Sequence, residues 1–361
     1  MLVTSRQDLC FAHEDMRTAS KALLFIVILV AMGGVLAWKY GFTTRTEAVQ
    51  TARRVPPPPA PTSLEDPLEP NRRAQLSERA PLKSNWVSAP PDQEFQYSRP
   101  ASERQGVEPC AAPAPPAAKA AQPLSRGYLF FGDGSALRDD GSFDLVMHLN
   151  GEGPVRRELV ESKQPFILYT LTLTPDVSYA PLFAGSNLLN QLIDEISSTL
   201  TRELKRPAHM EHLVLSAWSA GYEGVRSILY QPEASKVEAL LLIDGFHAPR
   251  RKNGLETQLA PFVRFAERAR KGERFFALTH SSIPTVDFTS TTESAHFLID
   301  ALGGKPQRVS RDDGFGLELI EMFDAGNLHV RGYAGNDKAD HCAQLFLLRG
   351  LFCAVHRYFH G

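Results

Sequence analysis

Apolar and polar positions divide the chain into two textures. From Gly127 to the carboxyl end, short runs of β-branched and aromatic residues alternate with stretches whose apolar positions recur at helical spacing. "GYLFFG" (127–132) and "FDLVMHLNG" (143–151), joined by turn-forming residues, predict a hairpin, and "PFILYTLTL" (165–173) predicts a third strand. Leu188, Leu189, Leu192, Ile193, Ile196, Leu200 and Leu204 then fall near one face of a helix. Four strand–helix repeats follow: "HLVLSAW" and "AGYEGVRSILY", "VEALLLIDGF" and "APFVRFAERARKG", "RFFALTHSS" and "TTESAHFLIDALGG", "NLHVRGYAG" and "DHCAQLFLLRGLFCAVHRYF". Uncharged runs such as Ala239–Ile243 suit strands buried on both faces, and alternation with helices implies right-handed crossovers. The expected class is therefore α/β: an open, mostly parallel central sheet with helices on both faces.

Before Gly127 the pattern differs. After an amino-terminal tail (1–21), residues 22–38, "ALLFIVILVAMGGVLAW", carry no charge and are closed by Lys21 and Lys39. As a helix they span about 25 Å, the short end of what a bilayer requires, with Trp38 and Tyr40 suited to the interface. The expectation is a single-pass anchor; a cleaved signal segment is the rival, disfavoured because no small-x-small site ends the run. Basic residues flank both sides, Arg6, Arg17 and Lys21 before, Lys39, Arg45, Arg53 and Arg54 after, so charge alone barely orients it. Residues 39–126, with "PPPPAP" and "PCAAPAPPAAKAAQPLS", bury too little to offset ordering entropy and are expected to be a disordered tether. Such a spacer favours a periplasmic or extracellular body, with the cytoplasmic orientation left open.

Charge and cysteines change this picture little. Among 361 residues, 39 Lys+Arg face 41 Asp+Glu for a formal charge of -2, which gives no reason to expect nucleic acid as a partner. Cys10, Cys110, Cys342 and Cys353 form no CxxC pair. Cys342 and Cys353, on one expected helix, would lie about 16 Å apart and cannot bridge. "GGK" at 303–305 lacks the phosphate-loop spacing and no GxGxxG opens a helix, so no cofactor is expected.

In such sheets ligands bind at the carboxyl ends of the strands. One end carries Ala217-Trp218-Ser219-Ala220-Gly221, a G-x-S-x-G turn with alanine in the first glycine position. Small residues there let strand and helix approach in a strained turn that pushes the serine hydroxyl outward. The plainer reading is a small residue where the chain must turn. With this unit, residues 127–361 resemble the α/β-hydrolase superfamily, in the manner of a membrane-anchored bacterial member.

The resemblance implies a fold and a chemistry. Ser219 becomes the nucleophile, and His341, just beyond the last strand at a helix start, becomes the base. His329, inside that strand, is a poorer candidate, and a helix-start histidine can also be a mere surface residue. For the acid, Asp244 and Asp287 compete: most members take it after the later strand, where Asp287 lies. Asp244 is preferred because it ends an apolar strand, where an ionised side chain needs a partner, although it could simply cap a turn. His148-Leu149-Asn150-Gly151 is similar to the HGGG-type element of esterases, so oxyanion donors are expected near Asn150 and Gly151 and at Ala220 N–H. His148, Trp218, His247, His280 and Ser281 share the same rim and are assigned to substrate binding or to bracing the triad, with His280 and Ser281 the first choices for substrate contact; without a close-spaced ligand pair such as HExxH, no metal is expected.

The implied activity is hydrolysis of an ester or amide by a membrane-tethered Ser-His-Asp enzyme. A short connection after the serine leaves no room for a cap, which suits a bulky, polymeric or envelope-associated substrate. Two alternatives stand beside it: a noncatalytic binding module of the cell envelope on the same scaffold, and an acyltransferase. Neither substrate identity nor oligomeric state can be read from these residues.

Overall fold

A computed structural model describes residues 121–361 except 133, 175, 176, 186, 251–253 and 336. The expected anchor and most of the expected tether therefore lie outside the described residues. Among the described residues, no helix is long and apolar enough to cross a membrane.

Among the described residues ten strands build one sheet: β1 (Gln122–Pro123), β2 (Tyr128–Phe130), β3 (Ser142–Leu149), β4 (Phe166–Leu171), β5 (His209–Trp218), β6 (Val237–Ile243), β7 (Phe275–Ser281), β8 (Gln307–Asp312), β9 (Glu318–Ala325) and β10 (Leu328–Tyr333). Their spatial order is β1-β2-β4-β3-β5-β6-β7-β10-β9-β8. The run from β4 to β10 is parallel throughout, and the strands outside it pair antiparallel. The helices are α1 (Glu152–Ser162), α2 (Tyr179–Leu182), α3 (Leu188–Leu204), α4 (Tyr222–Leu229), α5 (Gly254–Arg270), α6 (Thr291–Ala301), α7 (Lys338–Ala343) and α8 (Leu348–His360).

Period-two alternation sends each strand's side chains to two cores. Leu145, Met147 and Leu149 of β3, Leu213 and Leu215 of β5, and Leu240 and Leu242 of β6 pack with α3, α4, α5 and α6 through Leu192, Ile196, Val225, Ile228, Phe262 and Leu298. Val146, Val214, Leu241 and Ile243 point the other way, against Val155 of α1 and Leu348, Phe352 and Val355 of α8. Both faces are thus buried, as the uncharged runs require, and each fully buried Leu or Phe contributes about 2 kcal/mol of burial.

One expectation needs correction, and two elements had no counterpart in the sequence pattern. Residues 127–132 and 143–151 do not form a hairpin: β2 pairs antiparallel with β4, and β3 lies between β4 and β5. The turn signals between them mark a connection that passes the end of β4, which lies between β2 and β3, rather than a tight return. Between β3 and β4 the polar segment "EGPVRRELVES" forms α1, hidden from a periodicity reading because few of its residues, Val155 and Leu159 among them, supply an apolar face. The β8–β9 pair was missed because "QRVSRD" is almost wholly exposed and carries one apolar residue, whereas its charges blunt a sheet edge. A smaller difference is β1, which adds residues expected in the tether to the folded body.

Candidate active site

The turn after β5 is strained as its sequence suggests. Ser219 has φ 52, a left-handed conformation unfavourable for a residue with a Cβ, and opens a 3-10 turn (Ser219–Gly221) that leads into α4. Packing enforces the shape. A Cβ on Gly221 would run into the Leu149 carbonyl oxygen at the end of β3, and one on Gly224 would meet the Leu149 and Phe183 side chains. Ala217, where the motif usually has glycine, still lies in the strand with its methyl buried in the core, so alanine is accommodated there.

Asp244 leaves β6 with φ 40 and is 1% exposed. Its Oδ1 accepts hydrogen bonds from Ser281 N–H at 2.9 Å, Ser281 Oγ at 3.0 Å and Thr291 Oγ1 at 2.7 Å. Its Oδ2 lies 2.7 Å from His341 Nδ1. Because an ionised carboxylate only accepts, His341 carries its proton on Nδ1 and a neutral ring presents the Nε2 lone pair outward. Burial pushes the Asp244 carboxyl up, but the hydrogen bond and charge of His341 and the hydroxyls of Thr291 and Ser281 outweigh it and hold it below the ordinary carboxylate range. The Asp244–Gly245 turn backs directly onto the elbow: a Cβ on Gly245 would collide with the Ser219 backbone.

The turn also touches His341. Trp218 stacks on His341 with ring centroids 4.7 Å apart, and its Nε1 donates to the His341 carbonyl at 3.3 Å. His341 sits in α7, whose start is fixed by a capping box between Asp337 and Asp340. Serine, aspartate and histidine, 25 and 97 positions apart in sequence steps, are thus brought to one end of the sheet. Among the described residues Ser219 Oγ forms no hydrogen bond, so the serine–histidine contact is open; such contacts commonly tighten only when substrate binds.

No protein-family model matches the chain, and no match emerges among curated proteins. Among solved structures, an uncharacterised protein from Capnocytophaga ochracea is similar at 11% identity and a TM-score of 0.38, over 64% of this chain and 64% of that one. The reading of the site rests on its own geometry.

The other expected site residues divide sharply. Asp287 is exposed on the loop after β7, and the Nδ1 of His341 is already taken by Asp244. The oxyanion expectation is corrected in part: Asn150 N–H donates to the Leu171 carbonyl at 2.9 Å, and Gly151 N–H to Thr172 Oγ1 at 3.2 Å. Both donors are spent on holding the turn. The Asn150 side chain instead clamps the Trp218 carbonyl at 3.2 Å, from a backbone with φ 74. Ala220 N–H, exposed in the first turn of the 3-10 segment, precedes the first intrahelical donor and stays available.

The substrate-contact expectation for His280 and Ser281 is corrected: they and His148 are buried and bonded to other protein groups. His148 bridges Ser216 Oγ at 2.8 Å and the Asn150 carbonyl at 2.7 Å, which braces β3 against β5. Burial pulls it down to about 4, so it is neutral at pH 7. His280 bonds Thr292 Oγ1 at 2.9 Å, while its Nε2 lies 3.2 Å from Glu321 Oε1 without hydrogen-bond geometry. Burial pulls this ring down to about 4 as well. Ser281 serves Asp244. His247 is wedged edge-on against Tyr222 and Phe288, with ring centroids 5.5 and 4.8 Å away, and burial lowers its pKa. His329 pairs with Asp324 at 2.7 Å across β9 and β10, as its poorer ranking anticipates.

Thr291, Thr292, Ser216 and Thr172 escaped the sequence reading. For the first two a signal existed: Ser290-Thr291-Thr292-Glu293 is a capping-box pattern, which fixes a helix start beside the strand that carries Ser281.

Proposed function

We propose that the body is an α/β-hydrolase domain and a serine hydrolase acting on an ester or amide carbonyl. Ser219 Oγ attacks the carbonyl carbon, His341 Nε2 takes its proton and returns it to the leaving group, and water then releases the acyl group by the same relay. Asp244 keeps the histidine tautomer and stabilises the imidazolium. Ala220 N–H is the oxyanion donor that the elbow offers, and one such donor is worth about 3 kcal/mol of barrier. The observation that carries this reading is the 2.7 Å contact between His341 Nδ1 and an Asp244 carboxylate that every other bond holds rigid. Attachment to a membrane through residues 22–38 belongs to the same proposal and predicts that the full chain sediments with membranes.

A second reading has one observation in its favour. With the N–H groups of Asn150 and Gly151 already occupied, the expected pair of oxyanion donors is incomplete, as in a scaffold kept for binding. A fluorophosphonate probe separates the two. Labelling of the wild type that is lost in Ser219→Ala and His341→Ala supports the hydrolase; equal labelling of wild type and Ser219→Ala, or none of either, favours the binding module.

A further inference from the structure

At the other end of the sheet, where the parallel strands begin, a second cluster gathers around Asp144. This residue lies near the start of β3, opposite His212 of β5, and is fully buried. Its Oδ1 accepts from Arg138 Nη2 at 3.0 Å, and its Oδ2 lies 2.7 Å from His360 Nε2. His356 and His360 are four residues apart on α8 and therefore share a face, with ring centroids 4.7 Å apart. His356 Nδ1 is shielded from solvent and has no hydrogen-bond partner among the described residues.

We propose that Asp144, His356 and His360 bind a first-row divalent cation, with Zn2+ the best chemical fit. One ligand atom from each lies within 4.8 Å of the others. Two imidazoles and one carboxylate are the ligand class that suits zinc, cobalt, nickel or iron(II) rather than calcium or magnesium. Tetrahedral zinc with bonds of about 2.0–2.1 Å sets its ligands about 3.3 Å apart. The hydrogen-bonded pair therefore opens by roughly 0.6 Å and the wider pairs close, shifts that side-chain rotation on the last turns of a terminal helix can supply.

Arg138 decides which side the cation takes. Its guanidinium bonds both Asp144 and Glu211, so the alternative set of Asp144, Glu211 and His212 has a positive charge in its midst. His212 Nδ1 is also engaged, 3.1 Å from each Glu238 oxygen, and its ring stacks on Phe359 at 4.3 Å. Arg138 also acts on His356 electrostatically, but its hydrogen bond is to Asp144 Oδ1, which leaves Oδ2 facing the histidines. Metal binding replaces the N–H that His360 gives to Asp144; the ring shifts its proton to Nδ1, or a histidinium releases one to solvent. The exposed flank of His360 leaves a further position for water, and the ion would fasten the carboxyl-terminal helix to the sheet.

The test uses the full chain, stripped with chelator and titrated with Zn2+ by calorimetry, alongside thermal unfolding. Expected is one zinc per chain at micromolar or better affinity and a zinc-dependent rise in Tm, both lost in His356→Gln/His360→Gln. If that variant fails to fold, His356→Gln alone, on the half-exposed face, must weaken zinc binding at least tenfold. Cobalt supplies an independent signature, since visible absorption of the Co2+ form should vanish in the same variants. Equal zinc affinity in wild type and variants, or wild-type binding only at millimolar zinc, overturns the proposal and leaves an ion-pair network that ties α8 to β3.

Discussion

Each end of the sheet buries one aspartate against a histidine from the carboxyl-terminal helices, yet the two carboxylates are compensated differently. Asp144 is met by a guanidinium, which neutralises it within the cluster. Asp244 is met by two hydroxyls, a backbone N–H and one imidazole, so His341 is the group among its hydrogen-bond partners that can become a cation. With no arginine bonded to it, the Asp244 carboxylate acts most directly on the ring it touches, His341, and more weakly on His247 and His280. That is what a relay needs when a proton arrives on Nε2, and what a structural ion pair does not need.

The widest test of this difference substitutes each aspartate in turn. Asp244→Asn leaves the fold but presents the wrong histidine tautomer, and turnover should fall about 10^4-fold, as when a triad aspartate is amidated. Asp144→Asn should leave turnover nearly intact while destabilising the protein by about 1–2 kcal/mol, because Arg138 and His360 lose a charged acceptor although Arg138, a third exposed, keeps Glu211. Hydrolysis of a generic activated ester and denaturant unfolding read the two effects separately. An unchanged rate in Asp244→Asn would break the comparison.

Buried imidazoles sharpen it next. His148 and His280 sit near the same end as His341 but are held neutral, each down to about 4. Since their folded values lie below the ordinary 6.5, the unfolded chain takes up these protons first as pH falls. Stability is complete above about pH 6.5 and is lost as pH drops towards 4, by at most about 3 kcal/mol per histidine. The Asp244 contribution, with its lowered pKa, persists through this window and disappears only below the ordinary carboxylate value. Denaturant midpoints at pH 7 and 4.5 should diverge less in His148→Gln than in the wild type; equal divergence would mean that His148 titrates normally.

A smaller effect concerns the elbow. Gly221→Ala places a methyl group against the Leu149 carbonyl and should cost about 1–3 kcal/mol, with slower labelling of Ser219 as the turn shifts. Thermal unfolding and probe kinetics on the same sample report both.

The end that gathers Ser219, Asp244 and His341 was far more legible in the sequence than the opposite one. Ser219, Asp244 and His341 each follow an apolar strand, so a strand-end rule finds them without coordinates. Asp144, His356 and His360 carry no comparable mark: the aspartate sits inside a strand and the histidines end a helix whose apolar face dominates its pattern. Contacts across 216 positions, such as that between Asp144 and His360, arise from topology alone. The same limit explains the oxyanion miss. Asn150 and Gly151 occupy the expected place, but which acceptors their N–H groups meet depends on β4 and Thr172, and no local pattern encodes that neighbour.

The finest probe of the comparison is Thr291, because it hydrogen-bonds Asp244 but not His341. Its hydroxyl donates to Oδ1 at 2.7 Å from the first turn of α6, a helix start fixed by the Ser290–Glu293 capping box. Thr291→Val keeps the shape and removes one of three donors on that oxygen, which costs about 1 kcal/mol of carboxylate stabilisation. If Asp244 acts through its charge on His341, the loss should lower kcat about fivefold, leave KM unchanged and move the acid limb of the kcat profile, whereas Thr291→Ser, which restores the hydroxyl, should recover the rate. If Asp244 were only a turn cap, both variants would shift unfolding alone, and the pH profile of any turnover would stay where it was.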